Sequence, residues 1–162
     1  MRTQRIMRIF VLFALGAVGS ATKLGAQTQT VTFAVNAINQ ISFSGAPSLT
    51  ITTAVAGADP TSAVDATSTW AVTTNQTGAK ISGSIPSVMG TGLTLKVNLT
   101  APAGATAVGL TVLGTVAVDL VTAITKQKGS ALTTTYQLDA TPAAGVVASA
   151  TKVVTYTISG GT

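Results

Sequence analysis

The sequence predicts an all-β chain: an antiparallel β-sandwich of about nine short strands, immunoglobulin-like or jelly-roll-like, behind a cleaved N-terminal signal. Three observations predict it. Apolar and polar residues alternate, most cleanly where Leu93, Leu95, Val97 and Leu99 interleave with Thr94, Lys96, Asn98 and Thr100, the period of a strand with one buried face. Turn residues interrupt the chain at short intervals, as in Gly45-Ala46-Pro47, Asp59-Pro60 and Ala101-Pro102-Ala103-Gly104. No segment carries a period of about 3.6 residues, and the composition is rich in Thr, Ala, Val, Ser and Gly, of which Thr and Val fit a pleated surface.

The N-terminus does not belong to this pattern. Arg2, Arg5 and Arg8 precede an apolar run over 9–18, and small residues follow as far as Leu24-Gly25-Ala26. Basic start, short apolar run and small-residue end make a secretory signal peptide over 1–26, with cleavage expected after Ala26 and Ala21 as the alternative. The run is roughly half the ~20 residues of a membrane-spanning helix, so no transmembrane segment is expected after cleavage. The chain has no cysteine to carry a lipid anchor. The expected location is secreted, extracellular or at the cell surface.

Residues 27–162 then form one domain. The formal charge of +5 shrinks on cleavage, because Arg2, Arg5, Arg8 and Lys23 leave. Five lysines (80, 96, 126, 128, 152) face four aspartates (59, 65, 119, 139), and no arginine remains. A balance of +1 gives no basis for nucleic acid or an anionic membrane as partner.

In chain order, Thr30–Asn36 alternates, with Val31, Phe33 and Val35 in phase, and is expected to be the first strand. Ile41 and Phe43 mark a second, and Leu49 and Ile51 a third. A loop is expected over Ala54–Ala66. The next strand, Thr67–Thr74, holds the only tryptophan, with Trp70 and Val72 on one face and Thr69, Ala71 and Thr73 on the other. Trp70 is the expected anchor of the core. Lys80–Ile85 and Leu93–Thr100 follow. Leu110–Ile124 reads as one long stretch or two strands broken near Gly114, with Val116, Val118 and Leu120 on a shared face. A polar turn is expected over Lys126–Ser130. Leu132, Tyr136 and Leu138 form the next strand, Thr141–Ala150 a loop with room for a helical turn, and Val154, Tyr156 and Ile158 the last strand. Each aromatic is in phase with aliphatics of its own strand, which places Phe33, Trp70, Tyr136 and Tyr156 in the core rather than on a sugar-binding platform.

Candidate chemistry is sparse. Histidine, cysteine and glutamate are absent, which removes thiolate and cysteine-metal chemistry and the usual base for a serine nucleophile. Asp59 and Asp65 share a loop and could lend oxygens to Ca²⁺, but such a site wants six to eight oxygens. Asp119 and Asp139 read as solvated positions. No catalytic, cofactor or metal residue is therefore assigned, and no enzyme or small-molecule substrate is expected. Asn75-Gln76-Thr77 and Asn98-Leu99-Thr100 match the glycosylation triplet, which arises by chance in threonine-rich sequence.

The expected partner is the chain itself, as oligomer or filament, or a component of the cell envelope. An alternating segment next to the new N-terminus can add itself to a neighbour's sheet edge, and little charge is present to guard edges. The Trp70-Ala71-Val72 triplet and the terminal Thr155-Tyr156-Thr157-Ile158 strand, in a cysteine-free Thr/Ala/Val-rich chain behind a signal, resemble secreted bacterial surface proteins of the WxL-like group and, more loosely, pilin-like sandwich subunits. The WxL pattern is Trp-x-Leu, where this chain has Trp-x-Val first and Tyr156 with Ile158 second, and the disulfide common in pilins has no counterpart. The resemblance implies a structural role in adhesion or assembly at the surface and transfers no functional residue. A structural protein assembling by strand donation is the leading reading. A binding module or adhesin for cell-wall or carbohydrate ligands, using loops such as Ala54–Ala66 and Thr141–Ala150, is the alternative.

Overall fold

The computed structural model describes residues 25–162; the expected signal, 1–26, lies almost wholly outside them. The chain divides into a unit ending at Ala34 and a unit Val35–Thr162. Of the first, residues 25–34 are described; they form no strand and are exposed.

The second unit is a two-sheet antiparallel sandwich. Its strands are β1 Asn39–Ser44, β2 Ala63–Thr74, β3 Ala79–Ser84, β4 Leu93–Leu99, β5 Thr106–Ala107, β6 Thr111–Val112, β7 Val118–Ile124, β8 Gln127–Ala140 and β9 Thr155–Ser159. One sheet runs β1-β2-β8-β4-β6 and the other β5-β7-β3-β9. From β3 onward, each strand lies in the sheet opposite its predecessor. Among the described residues only β1 and β2 pair as sequence neighbours.

The alternation sorts side chains between core and solvent. Leu95, Val97 and Leu99 are buried on the inner face of β4, and Trp70 and Val72 on that of β2. Trp70 is 1 % exposed and sits level with Phe43 of β1 and Leu132 of β8. Burying a residue of this size removes about 150–250 Å² from water, the largest single contribution any side chain here can make. Ile81 and Ile85 frame Gly83 on β3, and all three are buried. The glycine has a packing cause: a Cβ there would lie 2.8 Å from Leu120 Cδ1 and 3.3 Å from Leu113 Cδ2.

The long strands are bent. Register shifts interrupt β2 against β8 between Asp65 and Ser68 and between Trp70 and Val72, and Ala131 adopts a positive φ of 53° opposite the second. Bulges of this kind let one strand serve two local twists. The slip between Asp65 and Ser68 hides the first half of β2 from a period-two reading, so the expected loop over Ala54–Ala66 ends four residues early, at Ser62, and β2 begins at Ala63.

Four further expectations are corrected. Thr30–Asn36 forms no strand, and Phe33 is 87 % exposed rather than part of the core. Leu49 and Ile51 form no strand: Leu49 packs half-buried against the core, and nearby pairing is reduced to a bridge between Ala54 and Pro60. The polar segment Lys126–Ser130 is mostly strand, because the turn closes within Thr125-Lys126, where Lys126 has φ 45°. Val116 is exposed, since the break near Gly114 separates β6 from β7 and strands it in the connection. The two-residue β5 has too few residues to show a period. The connection after β8 does contain a helical turn, Pro142–Ala144.

Candidate assembly edge

Four strands border the sandwich: β1 and β6 in one sheet, β9 and β5 in the other. Strands β5 and β6 have two residues each, and brevity is one way an edge is kept from pairing with other chains. The other two edges are built differently. Strand β1 has six residues, Asn-Gln-Ile-Ser-Phe-Ser, without a charge, proline or bulge against β2. Strand β9 has five, also uncharged.

Strands β1 and β9 lie on the same side of the sandwich. Phe43 stacks on Tyr156 with ring centroids 3.9 Å apart, and on Trp70 at 6.0 Å. The Tyr156 hydroxyl meets that of Tyr136 on β8 at 2.8 Å, a hydrogen bond that joins the two sheets. Burial raises both phenol pKa values above their ordinary 10, and at Tyr156 the bond to Tyr136 raises it further. Ile41, Phe43, Tyr156 and Ile158 pack against the core yet stay half-buried, so this side of the sandwich is left ajar.

Backbone parity shows what the β1 edge offers. The Asn75 N–H donates to the Ile38 carbonyl at 3.2 Å. In an antiparallel ladder the groups of alternate residues turn the same way, so Gln40, Ser42 and Ser44 address β2. The backbone N–H and C=O groups of Asn39, Ile41 and Phe43 address the free edge.

Immediately upstream lies Thr30–Asn36. Val31, Phe33 and Val35, in phase on the sequence, are 72 %, 87 % and 77 % exposed. The Asn75 side chain fixes the point where this segment joins the sandwich: its Nδ2 donates to the Asn36 carbonyl at 2.7 Å and its Oδ1 accepts the Ile38 N–H at 2.8 Å. No motif announced that role; a turn asparagine followed by Gln-Thr-Gly was the only signal. The amide of the first glycosylation triplet is thus engaged in structure, and Asn98 of the second has a buried Oδ1 on β4.

The aspartates are dispersed. Both oxygens of Asp65 are taken locally, by the N–H and hydroxyl of Thr67 and the N–H of Ser48, and the two backbone bonds chiefly lower its pKa. No group of three metal-ligating side chains occurs among the described residues. Asp119 pairs with Lys80 at 3.0 Å on the surface. Asp139 departs from the solvated position expected of it: its side chain is 26 % exposed and lies 2.6 Å from Lys96 Nζ, with further bonds from Ser62 and Gln137. The Lys96 contact, then those two bonds, lower its pKa to about 2. Two shallow depressions of about 180 Å³ lie on the surface, one over the β1–β2 pair and one between Val88, Leu93 and Val112. No family model, curated protein or solved structure matches this chain.

Proposed function

We propose that this chain is a secreted, non-enzymatic structural protein of the bacterial cell surface or extracellular matrix, assembling with copies of itself by strand donation. One observation carries the reading. Three large apolar side chains in strand phase, Val31, Phe33 and Val35, stand in solvent on a segment that forms no strand. A contiguous exposed apolar row of this kind marks an interaction surface, and the alternation makes it one that a sheet edge can use.

Light scattering on the exported chain, followed by negative-stain imaging, tests the proposal. Regular high-mass assemblies are expected. A monomer at every concentration overturns it, and a closed dimer with no further growth overturns the scaffold role. The second reading, a binding module for cell-wall or carbohydrate ligands, draws on the connection between β8 and β9, where Val146, Val147 and Val153 are exposed. That reading predicts a monomer retained on cell-wall or glycan supports.

A further inference from the structure

We infer that the acceptor for the donated segment is the free edge of β1 in a second copy, and that Thr30–Asn36 lies along it with Val31, Phe33 and Val35 turned inward. The inference rests on the strand-donation reading and names its receiving partner.

The choice of edge follows from exclusion and fit. Strands β5 and β6 present two residues each, too few to hold a seven-residue segment. Strand β9 presents five, and Lys152, just upstream, is tied to Ser87 and the Val88 carbonyl, which places a cation at that approach. Strand β1 presents six residues in unbroken register, with three sets of backbone donors and acceptors turned outward. Both partners lack charge: neither 27–36 nor 39–44 contains Asp, Lys or Arg. An edge with no lysine, proline or bulge has none of the usual devices against pairing.

Side-chain phase completes the match. The residues of β1 that address the free edge with their backbone, Ile41 and Phe43, are those whose side chains point inward and remain half-buried. A strand laid beside them with its apolar face inward continues the core and covers Ile41 and Phe43. A register slip of one residue would turn Val31, Phe33 and Val35 outward, so the pairing is specified by sequence.

The donor comes from a second copy because the segment cannot fold back on its own β1. Only Ala37 and Ile38 separate the two. A two-residue hairpin needs positive φ, normally Asn-Gly or a similar pair, and Ile38 already bonds Asn75 through both its N–H and its carbonyl.

Two complementary types of variant of the exported full chain, one donor and two acceptor, provide the test. Val31→Ser/Phe33→Ser/Val35→Ser removes the donor at exposed positions. Ile41→Pro removes a free-edge N–H while sparing the bonds to β2, and Ser42→Lys, at an exposed position on the same strand, serves as a second acceptor block should the proline unfold the chain. Circular dichroism reports folding. Each folded variant alone is expected to be monomeric by light scattering, and an equimolar mixture of the two types is expected to form a one-to-one complex of twice the monomer mass. If both folded acceptor variants assemble as the parent does while the triple-serine variant does not, β1 is not the acceptor and donation itself stands. If the triple-serine variant assembles as the parent does, the underlying reading fails. A mixture that stays monomeric overturns the inference.

Discussion

The hydroxyl pair Tyr136–Tyr156 offers a sharp test of how the two sheets are held together. Each hydroxyl has the other as its bonding partner, at 2.8 Å, between β8 and β9. Removing one leaves the other without a partner at a largely desolvated place, a loss of about 1–2 kcal/mol for a neutral group. Removing both replaces a polar pair by two rings of unchanged shape, which is close to neutral. Tyr136→Phe and Tyr156→Phe are therefore each expected to destabilise by about 1–2 kcal/mol, and the double variant by less than about 1 kcal/mol, where additivity would give about 2–4. In a domain of this length 1 kcal/mol moves Tm by about 4 °C. Urea unfolding at neutral pH, with the slope m unchanged, reads all four corners of the cycle. Additive losses, or two neutral single variants, would refute the claim that these hydroxyls depend on each other.

Other outcomes follow from the same packing. The only tyrosines are this pair, and their pKa values are raised in the fold, so tyrosinate absorbance should stay absent past pH 10 and then rise together with unfolding. A raised acid pKa gives stability that is present below the unfolded value near 10 and lost as pH climbs above it. Asp139 behaves in the opposite sense. Its pKa is lowered to about 2, so its contribution is full above the ordinary carboxylate value and lost as pH falls through about 2; Asp139→Asn should flatten acid unfolding there by about 1 kcal/mol after solvent screening. Gly92→Ala should cost about 2–4 kcal/mol in urea unfolding, because φ is +71° and the new Cβ would sit 2.5 Å from the Ala144 backbone nitrogen.

Where the sequence was legible, one face of a strand was buried without interruption. Strand β4 and the Trp70 half of β2 read directly, because Leu95, Val97, Trp70 and Val72 all face a core. Elsewhere the alternation was misleading for definite reasons. Strand β7 buries Leu120 and Val121 side by side next to register shifts against β3, which no simple period describes. Leu49 is half-buried without being in a strand. Thr30–Asn36 carries the strand pattern and is unpaired, since a pattern states which face is apolar and not what covers it. The candidate edge was legible on its donor side alone: the charge-free composition of β1 is visible in the letters, but its position at a border depends on pairings up to residue 140 and beyond.

The alternation of the chain between sheets has a temporal consequence. Strands β2 and β4 both wait for β8, and β3 waits for β7 and β9, so neither sheet can close until the last third of the chain is present. Pairings this distant close slowly, because the entropy of the intervening loop is lost before any contact compensates. A growing chain of this design stays open almost to its end. That is a state in which a chain can still be threaded through a channel, as the proposed export would require, and in which the proposed assembly with other copies has no completed edge to use.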